Sequence, residues 1–441
     1  MRDFTRHHFI YAKGTTAFLV TSHCARAMTS VKWSDTAYAA SSRPLAAGSF
    51  GCVIKRQLPC ADGRTFPEGV GKVFYRGMEK AAEFEADAHS TIDDRYAIGA
   101  VGACQLSEDV DMVSLAEECH LVSDHDAVIP LSRTQLVFAD GGVDLYTVCQ
   151  EAKDNGDAYK FIEVILGLTT LVKNLERRVG TVPHGDIKMQ NIVMDEQSVC
   201  RLIDWGQGQH MSVILNQAQD RKLPRNRSEL WPAFYMPPDL FAWVIGILDV
   251  QRRGYMSDTT AFEFEWVQHM LTKGSDEATA DLALPRHIMF PAKYRQGIVD
   301  MYTRVKSMWA FPDSEGEADV PAAERFARHT SVDVYGMGIV YSEWAQCVRE
   351  ALSSDAAAAE DPTLLSLLKS LCSFIESRRH RLLEPNGFNR ATMAEVVAMH
   401  LRLLKMITHA AEREEGKQGE RRAGTRGGGD EREEEEEGGG A

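Results

Sequence analysis

The sequence predicts an α+β protein in two parts, a small β-rich part followed by a larger helical one. Three observations predict it. Short apolar runs separated by Gly, Pro and Asp fill residues 43–75. Past residue 158 the period changes, and Phe161, Ile162, Ile165, Leu168, Leu171, Val172 and Leu175 fall at i, i+3, i+4 spacing. Strand signals come first along the chain and helix signals later.

Residues 1–41 show no clear period and read as an N-terminal extension or an extra strand. Strands are expected at 53–54 and 70–75, around a turn at 59–63, and a helix from Gly77 to about Ile92. Leu136, Val137 and Phe138 form another apolar run, stopped by Asp140, Gly141 and Gly142. The long amphipathic helix spans 158–178. Two short strands, 192–194 and 200–203, flank a turn at 195–197. Residues 334–344 are almost all apolar or small and read as a buried helix, with further helices at 364–371 and 393–407. The stretch 409–441 is mostly Glu, Arg and Gly; it cannot bury apolar surface and is expected to be disordered.

Composition narrows the functional classes. Hydrophobic residues make up 44% and charged residues 26% of 441, enough for a sizeable core. The net charge is −15, of which the segment 411–441 supplies −5 through eleven acidic and six basic side chains. A body this acidic is not a general nucleic-acid binder, because duplex affinity rests on neutralising phosphates. Nine cysteines occur without C-x-x-C spacing, so neither a zinc site nor a redox pair is suggested. An odd, scattered set reads as free thiols in a reducing compartment, hence an intracellular, cytoplasmic or nuclear protein. No apolar run reaches the roughly 18 residues of a membrane span. Residues 17–20 do not make a signal peptide, so no membrane partner is expected. The oligomeric state is left open.

One segment carries chemistry. His184-Gly185-Asp186-Ile187-Lys188-Met189-Gln190-Asn191 lies between the long helix and the first short strand, and the second strand runs into Asp204-Trp205-Gly206. Two acids 18 residues apart, the first followed by Lys at +2 and Asn at +5, suit phosphoryl transfer. Asp186 can orient and deprotonate an attacking hydroxyl, and Lys188 can neutralise a γ-phosphate oxygen. Asn191 and Asp204 offer the oxygen ligands that Mg²⁺ prefers.

These residues resemble the protein kinase family, whose catalytic loop reads H-R-D-L-x-x-x-N and whose metal motif reads D-F-G. The resemblance covers about residues 42–408. It implies a two-lobed fold, with a small β-rich lobe at about 42–140 and a helical lobe at about 141–408. Residues 240–331 form an insertion. It also implies ATP and Mg²⁺ as cofactors and protein substrates as partners; Lys188 points to Ser/Thr hydroxyls as acceptors.

The family's other motifs map onto this chain residue by residue. Leu45-Ala46-Ala47-Gly48-Ser49-Phe50-Gly51-Cys52-Val53 is similar to the glycine-rich loop, with Ala46 where the family has its first Gly. This places Gly48, Ser49, Phe50, Gly51 and Val53 at the nucleotide. Lys72 resembles the lysine that contacts the α/β-phosphates. Glu83 and Glu85 both qualify as its helix partner, and Glu85 is preferred because His89 then fills the inner helix position. Ala139 and Asp140 resemble the hinge that binds adenine, and Val193 joins them as a nucleotide contact. Tyr235–Asp239 looks like the end of the activation segment. Asp333 resembles the residue that anchors the catalytic-loop backbone, and Arg390 the late arginine that pairs with Asp239. Gly185 stands where the family has an arginine. His184-Gly185-Asp186 and Asp204-Trp205 are also similar to small-molecule kinases of the aminoglycoside and choline phosphotransferase type. A pseudokinase scaffold is the third alternative.

Overall fold

The computed structural model describes residues 8–10, 19–21, 44–48, 50–66, 69–90, 95–122, 127–177, 184–205, 332–353, 361–384 and 389–426. The expectations for Ser49, Gly206, Tyr235–Asp239, the 240–331 insertion and the last fifteen residues lie outside them. What is described is a mixed α+β chain with a sheet region first and a helical region after it.

Near the N-terminus, β1 (His8–Ile10) and β2 (Leu19–Thr21) pair with each other, apart from the main sheet. The main sheet is antiparallel and contains β3 (Pro44–Ala47), β4 (Gly51–Ile54), β5 (Gly69–Tyr75), β6 (Ala100–Gln105) and β7 (Leu131–Ala139), in the order β3-β4-β5-β7-β6. Helix α1 (Glu79–Ser90) covers one face and α2 (Met112–Leu121) the other.

Strand β5 is therefore buried on both sides, and its period of two sorts its side chains. Val73 and Tyr75 pack with Cys52, Ile54 and Leu115 toward α2. Phe74 packs with Ala82 and Leu136 toward α1. Lys72, two residues from Phe74, falls on the α1 face. Gly51 lacks a side chain because of this packing: a Cβ there would lie 2.2 Å from the Val73 carbonyl oxygen. Gln135, fully buried, locks the loop before β5 by exchanging hydrogen bonds with the Leu58 backbone at 2.9 and 3.2 Å.

The cysteines correct one expectation. Cys52 is bridged to Cys119 and Cys60 to Cys104. The pairs are 67 and 44 residues apart, so no local spacing announces them. The sheet brings them together, by laying β4 against α2 and the 58–60 loop against β6. The argument from free thiols to a reducing compartment therefore fails. Among the described residues, Cys149, Cys200, Cys347 and Cys372 remain buried thiols.

The helical region holds β8 (Val143–Asp144), α3 (Leu145–Asn155), α4 (Ala158–Arg177), β9 (Ile192–Met194) and β10 (Cys200–Leu202). It continues with α5 (Val332–Leu352), α6 (Pro362–Leu382) and α7 (Met393–Arg426). One continuous core runs through these helices. The apolar stripe read on α4 lies inside it, with Leu168, Leu171 and Val172 fully buried. Trp344 of α5 stacks edge-on against Phe161, and its indole N–H donates to the Phe161 carbonyl at 3.0 Å. Thr392 and Glu395 cap α7 reciprocally: the Thr392 amide donates to the glutamate and the Glu395 amide to the threonine hydroxyl.

Helix α7 corrects a second expectation. The folded part was expected to end at 408, yet the helix continues through Arg426. Ala410 is buried against the core, and Arg413 donates to the His409 carbonyl at 3.2 Å. Glu, Arg, Lys and Gln are good helix formers, so a chain already nucleated by packing propagates through them. Among the described residues no helix is long and apolar enough to cross a membrane.

Candidate functional site

Two backbone hydrogen bonds register the regions against each other. The Ile98 amide donates to the Leu202 carbonyl, and the Leu202 amide to the Tyr96 carbonyl, both at 2.8 Å. Strand β10 thus delivers Asp204 to the face of the sheet that carries Lys72.

There Lys72 Nζ meets both oxygens of Glu85, at 3.0 and 2.8 Å, and Asp204 Oδ1 at 3.0 Å. Lys72 and Glu85 are buried, whereas the Asp204 side chain is about one-third exposed. Glu83, the other candidate partner, is exposed. Burial opposes the lysine's charge, but Asp204 and Glu85 outweigh it and raise its pKa. Burial likewise opposes the Asp204 carboxylate, yet Lys72 holds it down, to about 2. Lys72 and Asp204 are therefore both charged at neutral pH. Asp204 also adopts φ 61°, in the left-handed region. A short polar residue tolerates that conformation better than most, at a cost that marks functional turns.

The second cluster sits on the loop 184–191. The Asp333 carboxylate accepts from the amides of His184 and Gly185, both at 3.1 Å. Gly185 has φ 80°, which favours a residue without Cβ and explains glycine where the kinase resemblance has arginine. His184 is fully buried and its Nε2 lies 2.9 Å from the Ile203 carbonyl. Its Nδ1 accepts from the Asp186 amide at 3.3 Å. Nε2 therefore carries the proton, and burial keeps the ring neutral against the pull of Asp333. Trp205, also buried, packs edge-on against this ring with centroids 4.6 Å apart.

This scaffold presents Asp186. Its Oδ2 accepts from Lys188 Nζ and from Asn191 Nδ2, each at 2.9 Å. Asn191 Nδ2 also reaches the Asp186 carbonyl at 2.9 Å, which leaves its side-chain oxygen as an acceptor. Asp186 Oδ1 is buried and has no hydrogen-bond partner among the described residues. Burial raises the Asp186 pKa, and Lys188 pulls against it. The Ile203 amide donates to the Asn191 carbonyl at 3.0 Å, tying Asn191 to the approach to Asp204.

The nucleotide-contact residues fall around these clusters. Val53 stands directly opposite Lys72 in the β4–β5 register, on the same face. Phe50 is half-buried and packs with Phe74, Ala82 and Leu136. Gly48 is exposed at a tight turn whose amide donates to the Gly51 carbonyl at 2.9 Å. Ala139 and Asp140 are exposed at the end of β7, and Asp140 Oδ1 accepts from the Gly142 amide at 2.9 Å. Val193 is buried, its methyl close to Gly141 together with Ile98. Arg390 is buried, donates to the Glu384 carbonyl at 2.9 Å and lies over the Tyr335 ring; Asp239, its expected partner, is outside the described residues.

Sequence reasoning passed over two residues. Ile98 belongs to the apolar wall with Val193, and nothing local marks it. Glu343 is a buried acid on α5 whose sequence signal was available: it is the one acidic residue between Asp333 and Glu350. Burial pushes its carboxyl up to about 7, against the Met189 amide and the charge of Lys188.

Among the described residues no group of three or more His, Cys, Asp or Glu side chains is placed to hold a metal ion, so a hard cation here would draw on few protein ligands. Asp204 has an oxygen not used by Lys72, Asn191 has its amide oxygen, and Mg²⁺ is usually held by one or two protein oxygens with the rest from phosphates and water. No protein-family model matches the sequence, and no curated protein matches it.

Proposed function

We propose that the chain is a protein kinase that transfers the γ-phosphoryl group of ATP to Ser/Thr hydroxyls of protein substrates. One observation carries the reading: Lys72 Nζ joins Glu85 of α1 to Asp204 of the helical region, beside Asp186, whose buried Oδ1 has no hydrogen-bond partner among the described residues. A buried lysine held between two acids has a fixed position and charge, which is what clamping the α/β-phosphates demands. The exposed turn at Gly48 and the apolar wall of Val193 and Ile98 give the phosphates and the base somewhere to lie.

Asp186 Oδ1 then receives the acceptor hydroxyl and takes its proton as the new O–P bond forms and the bond to the β-phosphate oxygen breaks. Lys188, already bonded to Oδ2, holds the carboxylate in place and lies close enough to offset charge on the moving phosphoryl group. Asn191 and Asp204 would hold Mg²⁺, which when bound neutralises phosphate charge. The Asp333 hydrogen bonds and the neutral His184 keep the loop in one conformation without a phosphate switch at Gly185.

The test is incubation of the purified full chain with labelled ATP, Mg²⁺ and generic protein acceptors, beside Asp204→Asn. Labelled phosphoserine or phosphothreonine is expected, lost by orders of magnitude in the variant. Gly185 at φ 80° with Trp205 behind it also suits the small-molecule phosphotransferases, so an aminoglycoside and choline belong among the acceptors. Transfer to these alone would replace the protein-kinase reading, and no transfer to any acceptor would leave a pseudokinase.

A further inference from the structure

The two disulfides of the sheet region are held differently. Cys60 and Cys104 are pinned by side chains: Gln57 Nε2 donates to Cys60 Sγ at 3.1 Å and Gln135 Nε2 to Cys104 Sγ at 3.5 Å. The backbone is locked there too. Cys60 pairs with Leu106 in an antiparallel bridge, and the Ala61 amide donates to the Gln105 carbonyl at 2.8 Å. Cys119 stands instead in the last turn of α2, a helix of ten residues.

The two ends of α2 are unequal. At its start the Asp111 carboxylate accepts from the amides of Val113 and Ser114, at 3.0 and 3.1 Å. At its finish Val122 closes the helix by its backbone amide, with φ −111° rather than a left-handed conformation, and Leu121 is 83% exposed. Leu115, Ala116 and Cys119 are the residues that α2 buries against the sheet. The last turn therefore opens at the least cost. Opening it uncovers a sulfur whose residue is 2% exposed while the turn is closed.

At its other end the bridge reaches the candidate nucleotide hairpin. Cys52 lies between Gly51 and Val53. The period of two sends its side chain toward α2, while Val53 stands opposite Lys72 on the other face. Strand β3 is at the edge of the sheet, and the turn after it is exposed at Gly48. Hydrogen bonds to β5 hold β4 within the plane of the sheet; the covalent tie through Cys52 holds it perpendicular to that plane.

We propose that the Cys52–Cys119 bridge is a redox control on nucleotide binding, with the last turn of α2 as the point of entry and the hairpin 44–54 as the part it sets. This rests on the kinase reading, which puts Gly48, Gly51 and Val53 against the nucleotide. With the bridge closed the hairpin is pre-organised over Lys72, and little freedom is lost on binding. The reductant is a dithiol. Its thiolate attacks Cys119 Sγ, the S–S bond breaks, and Cys52 leaves as a thiolate that takes a proton from water. The reductant's second thiolate then displaces Cys119 Sγ, which is protonated in turn. The dithiol gives up two electrons and becomes a disulfide, and the protein is left with two thiols. Helix α2 and the hairpin are then free to move apart.

The experiment uses the full chain, oxidised and after graded dithiothreitol, with a labelled non-hydrolysable ATP analogue and Mg²⁺ as the probe. Alkylation and peptide mass identify which bridge has opened, and hydrogen exchange follows the hairpin. Cys52–Cys119 is expected to open first. Affinity should fall by about tenfold as it opens and return on reoxidation. Cys52→Ala with Cys119→Ala should bind as weakly as the reduced chain and ignore dithiothreitol. Cys60→Ala with Cys104→Ala should hold the affinity within about twofold and keep the response. Melting curves show whether each variant is folded at the assay temperature; where the first pair is not, graded reduction of the unmodified chain decides. Unchanged affinity with Cys52–Cys119 open would overturn the proposal. So would an equal loss in both double variants, which indicates general loosening of the sheet. If the oxidised chain binds no analogue, the kinase reading fails on its own, and exchange decides the tie: quickening at 44–54 when Cys52–Cys119 opens supports it, and no change there overturns it.

Discussion

Around the strands, Cys52, Cys60, Cys104 and Cys119 are all bridged; among the helices, Cys149, Cys200, Cys347 and Cys372 are all buried thiols. The cores differ in the same sense. The sheet region has two small apolar clusters, one on each face of a single sheet. The helical region has one continuous cluster through α3, α4, α5, α6 and α7. A small layered unit buries a smaller fraction of its surface than a large one and gains most from cross-links. The site uses the difference: the sheet region contributes Lys72 and Glu85, and the helical region contributes Asp186, Lys188, Asn191 and Asp204.

The comparison is tested most severely at the ion pair where the regions meet. Lys72→Met should abolish phosphoryl transfer by orders of magnitude. It should also destabilise the sheet region by about 3–5 kcal/mol, because Glu85 is left buried without a cation. Adding Glu85→Leu should recover the stability and none of the activity. Near-normal turnover in Lys72→Met would remove Lys72 from the site.

Reducing the disulfides should separate the two regions next. Loss of each bridge is expected to cost about 2–5 kcal/mol. Hydrogen exchange should rise in β4, β5 and β7 while α4 and α5 keep their protection. Equal loosening of both would show that the bridges do not compensate for a small core.

Acid should reveal the opposite weakness, in the helical region. His400 is buried between Tyr341 and Thr169, at 2.8 and 3.1 Å, and burial first, then Lys173, brings its pKa from 6.5 to about 3. The folded chain refuses a proton that the unfolded chain accepts. Stability from this residue is whole above pH about 6.5 and is lost as the pH falls toward 3, on the order of 5 kcal/mol in all. Urea unfolding from pH 7 to 4 should show the decline, flattened in His400→Gln. An unchanged slope in that variant would exclude His400 as its source.

The smallest effect is expected at the C-terminus. Deleting 427–441 should leave the melting temperature within about 1 °C. Deleting from 409 should lower it measurably, because Ala410 belongs to the core. Identical melting curves for the two truncations would place the end of the folded chain at 408 after all.

Much of the fold was legible because its signals are local. The stripe on α4, the apolar run of α5 and the strands around the turn at 195–197 lie within a few residues of where the sequence puts them. Helix α7 was misjudged because composition alone was weighed, and packing by Ala410 and its neighbours carries the helix onward. The cysteines were misjudged because pairing depends on which elements the sheet lays side by side.

The same division holds for the site. The sequence by itself determined the cluster Asp186, Lys188 and Asn191, since residues at +2 and +5 on one loop can reach a common carboxylate through the chain's own geometry. Tertiary structure alone decided that Lys72 pairs with Glu85 rather than Glu83. It alone brought Asp204 to Lys72 across 132 residues, and set Asp333 under the loop from a distant helix. The physical reason is reach. A contact within one turn or loop is fixed by bond lengths and dihedrals, whereas a contact between elements exists only after their apolar faces have packed and set the distance.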